Sequence, residues 1–229
     1  MSFIDLIFPK RCVNCKKYGS YLCEVCFSYL SFDAKPLCLI CNKPSFNNLT
    51  HPKCESRYSI DGCFSGLSYN KIMQKLIYNF KYKPYLTDVK KVLSELFIES
   101  IIQNENLNRE IKKGEWIFTP IPLSSSKFRT RGYNQSEILA KELSRHFNFS
   151  LINYLKRIRN TKTQVGLSST RRKENIKNAF VLIPNAGIKN KNIFLVDDVV
   201  TTGSTLVEAS KVLKKQGAKR VIGLTLARD

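Results

Sequence analysis

Residues 193–205 read IFLVDDVVTTGST, and the fold class follows from this stretch. The run 192–196, NIFLV, is dense in apolar residues and of strand length, and it ends in two adjacent carboxylates, Asp197 and Asp198. Val199 and Val200 lead into Thr201, Thr202, Gly203, Ser204 and Thr205, a glycine and hydroxyl turn that opens a helix expected over 204–216. Gly217 closes that helix, and a last strand is expected over 220–226. Strands alternating with helices in this way build a parallel sheet with helices on both faces. The turn also carries chemistry. Gly203 permits close backbone approach, the hydroxyls donate hydrogen bonds, and the orphan N–H groups and positive dipole end of the helix face whatever sits there. Together they form a seat for a phosphate monoester. Asp197 and Asp198 have no use facing a phosphate, but they can accept hydrogen bonds from vicinal sugar hydroxyls or approach a magnesium ion. The combination describes a sugar carrying a 5′-phosphate.

Upstream, the same alternation continues. Residues 60–69 read as a strand, Asn70 caps a helix running to 80, and a longer apolar-periodic helix covers 86–102. The Asn-rich stretch 103–114 reads as a loop, and 115–120 (EWIFTP) as a short buried strand. After another loop, Asn134 with Glu137 three residues later is an N-cap signature for a helix to about 146. Residues 151–158 are expected to be a strand, and 159–173 a mobile segment, with helix around 170–177. The fold class is α/β, and the chain divides into a cysteine-bearing module, 1–58, and the sheet domain, 59–229.

All eight cysteines lie between Cys12 and Cys63. Cys12 with Cys15, Cys23 with Cys26, Cys38 with Cys41, and His51 with Cys54 form four two-ligand knuckles, enough for two tetrahedral zinc ions. A two-residue gap lets a tight turn aim both side chains at one ion, and so small a segment needs metal in place of a core. Complete four-ligand sites leave no open position, so both ions are structural. Whether the knuckles pair adjacently or interleaved is open. Cys63 stands outside the pattern and reads as a buried core residue, the alternative being that it replaces His51 as a ligand.

The 229 residues carry 38 Lys and Arg against 18 Asp and Glu, a formal charge of +20, which points to a polyanionic or phosphorylated partner. No run approaches the roughly 20 apolar residues of a membrane span, and no signal peptide is recognisable, so a soluble cytoplasmic protein without membrane insertion is expected. Residues 120–135 (PIPLSSSKFRTRGYNQ) gather Ser126, Lys127, Arg129 and Arg131 in a basic loop suited to pyrophosphate, the arginines to a bidentate grip. Residues 159–180 hold Lys162, Arg171, Arg172 and Lys173, which can close over an anionic substrate or bind a DNA backbone.

The 193–205 stretch resembles the phosphoribosyl pyrophosphate (PRPP) signature of type I phosphoribosyltransferases. Together with the zinc knuckles, the Phe-Lys-Tyr segment at 80–82, the R-G-Y-N-Q helix entry at 131–135 and the T-x-x-Q and N-x-x-x-A-F marks within 161–180, nearly the whole chain resembles the ComF family of competence proteins. His51 stands where a cysteine is more usual, and Cys63 is extra. The resemblance implies a type I phosphoribosyltransferase-like domain behind a small zinc-ribbon module. It further implies magnesium-PRPP held by Asp197, Asp198 and residues 199–205, with the two aspartates as the catalytic pair if turnover occurs. Its biological implication is a role in DNA uptake during natural transformation, with single-stranded DNA and with helicase or recombination proteins as partners. Two readings stand side by side, a PRPP-binding accessory protein of DNA uptake and an active phosphoribosyltransferase of nucleotide metabolism or salvage.

Overall fold

In the computed structural model, residues 10–83, 87–159, 169–184 and 187–229 are described. An N-terminal stretch containing α1 (Glu24–Phe27) and a 3-10 turn (Pro52–Cys54) leads into β1 (Gly62–Ser68), α2 (Lys71–Tyr82), α3 (Thr87–Ile102) and α4 (Glu105–Ile111). There follow β2 (Trp116–Pro120), α5 (Ser125–Arg131), α6 (Gln135–Phe147), β3 (Ser150–Leu151), β4 (Leu155–Arg157), α7 (Ser169–Ile176), β5 (Phe180–Leu182), β6 (Asn192–Val200), α8 (Ser204–Lys215) and β7 (Arg220–Arg228).

Five strands form one parallel sheet in the order β1-β7-β6-β2-β3. The long central strands β6 and β7 are buried on both faces, which is why they read as continuous apolar runs. Successive residues of β6 enter opposite cores. Phe194 and Val196 join Met73 and Leu76 of α2, Phe97 of α3, and Leu139 and Leu143 of α6. Ile193 and Leu195 join Leu206, Ala209 and Leu213 of α8. The expected helices on both faces are therefore present. Trp116 stacks on Phe194 with ring centroids 4.0 Å apart, locking β2 to β6. The N-terminal module straddles the two cores: Cys12, Cys23 and Cys26 pack with the first, Leu39 with the second.

Local signals held where they were strongest. The Asn70 side chain accepts hydrogen bonds from the Ile72 and Met73 N–H groups, and that of Asn134 from Ser136 N–H. Three expectations are corrected. The stretch 103–114 is not all loop: Asn104 caps α4 through Leu107 N–H, and Glu110 is buried against Arg220 and Lys113. The basic segment before Asn134 contains α5, closed by Gly132 at φ +75°, a conformation glycine adopts without strain. Residues 151–158 are not one strand. β3 ends in the main sheet at Leu151, and β4 pairs antiparallel with β5 in a separate ribbon, an architecture that apolar alternation alone does not reveal. Among the described residues no helix is long and apolar enough to cross a membrane.

Candidate phosphate and metal sites

From β2 the chain steps outward to β3, and from β6 it steps the other way to β7, so the direction of winding reverses between β2 and β6. Such a reversal leaves a crevice at the carboxyl ends of the strands. A cavity of about 590 Å³ opens there, walled by the ends of β6 and β2, by α2, by the start of α6 and by Arg157 of β4.

Asp197 and Asp198 stand at its floor. Asp197 is half-buried, and its Oδ1 accepts from Ser136 Oγ at 2.9 Å and from the Asp198 N–H at 2.9 Å. Burial first, and then the neighbouring Asp198 charge, raise its pKa to about 6, against the opposing pull of Ser136 and Lys81. Asp198 forms an ion pair with Lys81 Nζ at 2.7 Å. Burial works against the Lys81 ammonium, but the Asp198 and Asp197 carboxylates hold its pKa above the ordinary lysine value. Across the cavity, Lys127 has its pKa lowered to about 8, by burial and then by the charges of Arg157, Arg131 and Lys81. Arg131 donates to Gln135 Oε1 at 2.9 Å and lies over the Tyr82 ring. Gln135 is buried and lines the same cavity. The result is a concentration of cations facing two carboxylates, the arrangement that binds a polyanion together with a hydroxyl-bearing or metal-bearing group.

An adjoining small recess is lined by Asp197 and by Val199, Val200, Thr201, Thr202, Gly203, Ser204 and Thr205. Gly203 is the N-cap of α8 with φ +72°. That left-handed turn swings the hydroxyl-bearing residues and the first N–H groups of α8 around one point. Thr201 and Thr205 line both the recess and the large cavity, so the two adjoin.

Of the four residues expected at pyrophosphate, Lys127 and Arg131 line the cavity, whereas Ser126 and Arg129 are not among its walls. Helix geometry is the reason: positions 127 and 131 share a face at i, i+4, and Arg129 projects from the exposed opposite side. Lys162 lies outside the described residues. Arg171 is exposed on α7, which also carries Arg172 and Lys173, whose side chains lie outside the description. Sequence reasoning overlooked Lys81, Gln135, Ser136 and Arg157. Phe80-Lys81-Tyr82 was noted as a motif, but only the tertiary contact with Asp198 gives its lysine a role.

The metal-ligand side chains assemble as two adjacent groups, Cys12, Cys15, Cys23 and Cys26, and Cys38, Cys41, His51 and Cys54, each with its donor atoms within 4.8 Å of one another. Thiolate and imidazole donors in fours fit structural zinc. The knuckle backbone supports this. Although desolvation opposes ionisation, N–H groups of Cys23, Cys15 and Asn14 lower the Cys12 pKa to about 6, and those of His51, Cys41 and Ile40 lower that of Cys38 to about 7. Cys63 is buried in the sheet core, where burial raises its thiol pKa, and His51 belongs to the second group.

A double zinc ribbon domain matches residues 3–56, and a phosphoribosyl transferase domain matches residues 133–229. Competence protein F of Haemophilus influenzae is 33% identical over 228 residues, covering 92% of this chain and 98% of the relative. DNA utilization protein YhgH of Escherichia coli K12 is 29% identical over 216 residues, covering 87% and 93%. Competence protein ComFC of Bacillus subtilis is 26% identical over 217 residues, covering 91% and 84%. Similarity over most of the chain, two zinc-ribbon donor sets and a phosphoribosyltransferase-type sheet thus agree, and the chain belongs to the ComF family of competence proteins.

Proposed function

We propose that this protein binds PRPP at the carboxyl ends of its sheet and acts in DNA uptake, handling single-stranded DNA. The 5′-phosphate sits in the turn 201–205, on the hydroxyls and the N–H groups of α8. The ribose hydroxyls meet Asp197 and Asp198, and Lys127 and Arg131 hold the pyrophosphate. A bound magnesium ion would supply charge neutralisation between the carboxylates and the pyrophosphate. The observation that carries this reading is one cavity in which two carboxylates at a strand end face Lys81, Lys127, Arg131 and Arg157 beside a phosphate-type turn. The names of the relatives, competence protein and DNA utilization protein, support the biological setting. The charge of +20 supports a polyanionic partner, with Lys162, Arg171, Arg172 and Lys173 as the contacts nominated by sequence.

Turnover is a second reading, and the cavity favours it by extending past the charged wall to Tyr69, Gln74 and Tyr78, which leaves room for an acceptor. Pyrophosphate would then leave from the anomeric carbon, its charge stabilised by the cations already in place. Calorimetric titration of magnesium-PRPP into wild type and into Asp197→Ala/Asp198→Ala, both checked for zinc content, tests the site. Binding confined to wild type is expected; no binding to wild type removes the proposal for the pocket and leaves the DNA role to be tested alone.

A further inference from the structure

The second metal-ligand group touches the phosphate turn. Leu39, between Cys38 and Cys41, is 3% exposed and packs in the α8-side core. Its side chain lies directly against Gly203: a β-carbon on Gly203 would come within 2.7 Å of Leu39 Cδ2 and 3.2 Å of Cδ1 and Cγ. Gly203 is the residue whose left-handed conformation starts α8, and its carbonyl accepts the Val207 N–H at 2.9 Å. The position of Gly203 therefore sets where the first N–H groups of α8 and the neighbouring hydroxyls point. The knuckle that carries Leu39 belongs to a gathered donor set: the ligand atoms of Cys38, Cys41, His51 and Cys54 lie within 4.8 Å of one another, with Cys41 Sγ 3.3 Å from His51 Nδ1. Residues between Cys41 and His51 are also tied to the start of β1, through Cys63 N–H to Asn48 O at 2.8 Å and Thr50 N–H to Asp61 O at 2.9 Å. The segment between the two halves of this donor set is thus anchored to the sheet at Asn48 and Thr50.

We propose that the Cys38–Cys41–His51–Cys54 zinc site is a positioning element for the phosphate turn, acting through Leu39, so that zinc there and a phosphate ligand at 201–205 stabilise each other. The proposal rests on the phosphate reading of that turn given above. Zinc fixes the knuckle, the knuckle presses Leu39 against Gly203, and the close-packed contact admits few alternative arrangements of the turn. Coupling between two binding sites is reciprocal, so ligand at the turn must also raise the affinity for that zinc. The first zinc site makes a different connection, Lys75 Nζ donating to Asn14 Oδ1 at 2.8 Å on α2, and is expected to be indifferent to the phosphate ligand.

The test uses the full-length, zinc-loaded protein and ribose 5-phosphate as probe. Calorimetry gives its affinity for wild type, Leu39→Ala and the volume-conserving Leu39→Met; a colorimetric chelator gives zinc release with and without the probe. In wild type the probe is expected to raise the chelator concentration needed to remove one of the two ions at equilibrium. Leu39→Ala, still holding two zinc ions, is expected to bind about fivefold or more weakly and to lose the protection, while Leu39→Met keeps both. Should Leu39→Ala fail to retain zinc, Leu39→Val, which removes a single methylene, takes its place with the same expectation in smaller measure. Undiminished affinity in a variant that holds two zinc ions overturns the proposal, as does release of both ions unaffected by a probe that wild type binds. A wild type that does not bind ribose 5-phosphate at all refutes the phosphate reading itself, and the coupling with it.

Discussion

Replacing Lys81 by methionine removes the cation that sits on Asp198 while keeping a side chain of similar length. Two unit charges 2.7 Å apart attract by roughly 6 kcal/mol at an effective dielectric constant of about 20. The net loss is smaller, because the ammonium's own desolvation cost disappears with it, and breaking a buried pair typically costs about 3–5 kcal/mol. Here the partners' side chains are 23% and 12% exposed, so access of water softens the effect to about 2 kcal/mol. In a chain of this length that corresponds to a fall in Tm of about 4–8 °C. The sign of the pH dependence is fixed by linkage. Without the Lys81 charge, which opposes the upward shift at Asp197, that carboxyl holds its proton more tightly in the folded than in the unfolded state, so the variant loses stability relative to wild type as pH rises. Thermal scans of both proteins between about pH 5 and pH 8, with and without magnesium chloride, should show the gap widest at the alkaline end and partly closed by magnesium. A gap independent of pH and of magnesium would show that Lys81 contributes through its packed methylenes and refute the electrostatic account.

Ligand binding should follow a bell-shaped pH profile. A magnesium-bearing sugar phosphate needs Asp197 ionised, so affinity rises as pH increases through about 6; pyrophosphate needs Lys127 protonated, so affinity declines again above about 8. Calorimetry with magnesium-PRPP across that range checks both limbs, and a flat profile contradicts the assignment of those two groups. Far from the cavity, Glu110 is 4% exposed and paired with Arg220 and Lys113, whose charges hold its pKa below the usual carboxylate value despite the opposing effect of burial. A depressed pKa stabilises the fold above the unfolded-state value near ~4.3 and is lost as pH falls through the folded-state value. Glu110→Gln should therefore cost about 1–3 kcal/mol at neutral pH, with a difference from wild type that shrinks toward about pH 3 in denaturant titrations, and should leave PRPP affinity unchanged.

What the sequence by itself determined is what short-range chemistry encodes. The 193–205 stretch could be read because an apolar strand, two carboxylates and a hydroxyl-glycine turn are contiguous, and each part keeps its meaning in isolation. The two-residue gaps of the knuckles identified eight metal ligands for the same reason, and Asn70 and Asn134 announced their helices because a cap acts within one turn. The tertiary structure decided whatever depends on which distant segments meet. Adjacent pairing of the knuckles, the seating of Lys81 on Asp198, and the arrival of Arg157 beside Lys127 and Arg131 carry no periodic signature, since a charged residue looks alike in sequence whether it ends in solvent or in an ion pair. Helix α4 escaped notice because its stability comes from burying Leu107 and Glu110 against partners elsewhere in the chain, not from an apolar stripe of its own. The split of 151–158 between two sheets is the same lesson for strands: alternation specifies a pleated segment, and only packing chooses the neighbour it pairs with. The contact of Leu39 with Gly203 is the furthest from sequence, because a leucine between two cysteines gives no hint that it will pack against the glycine that starts α8.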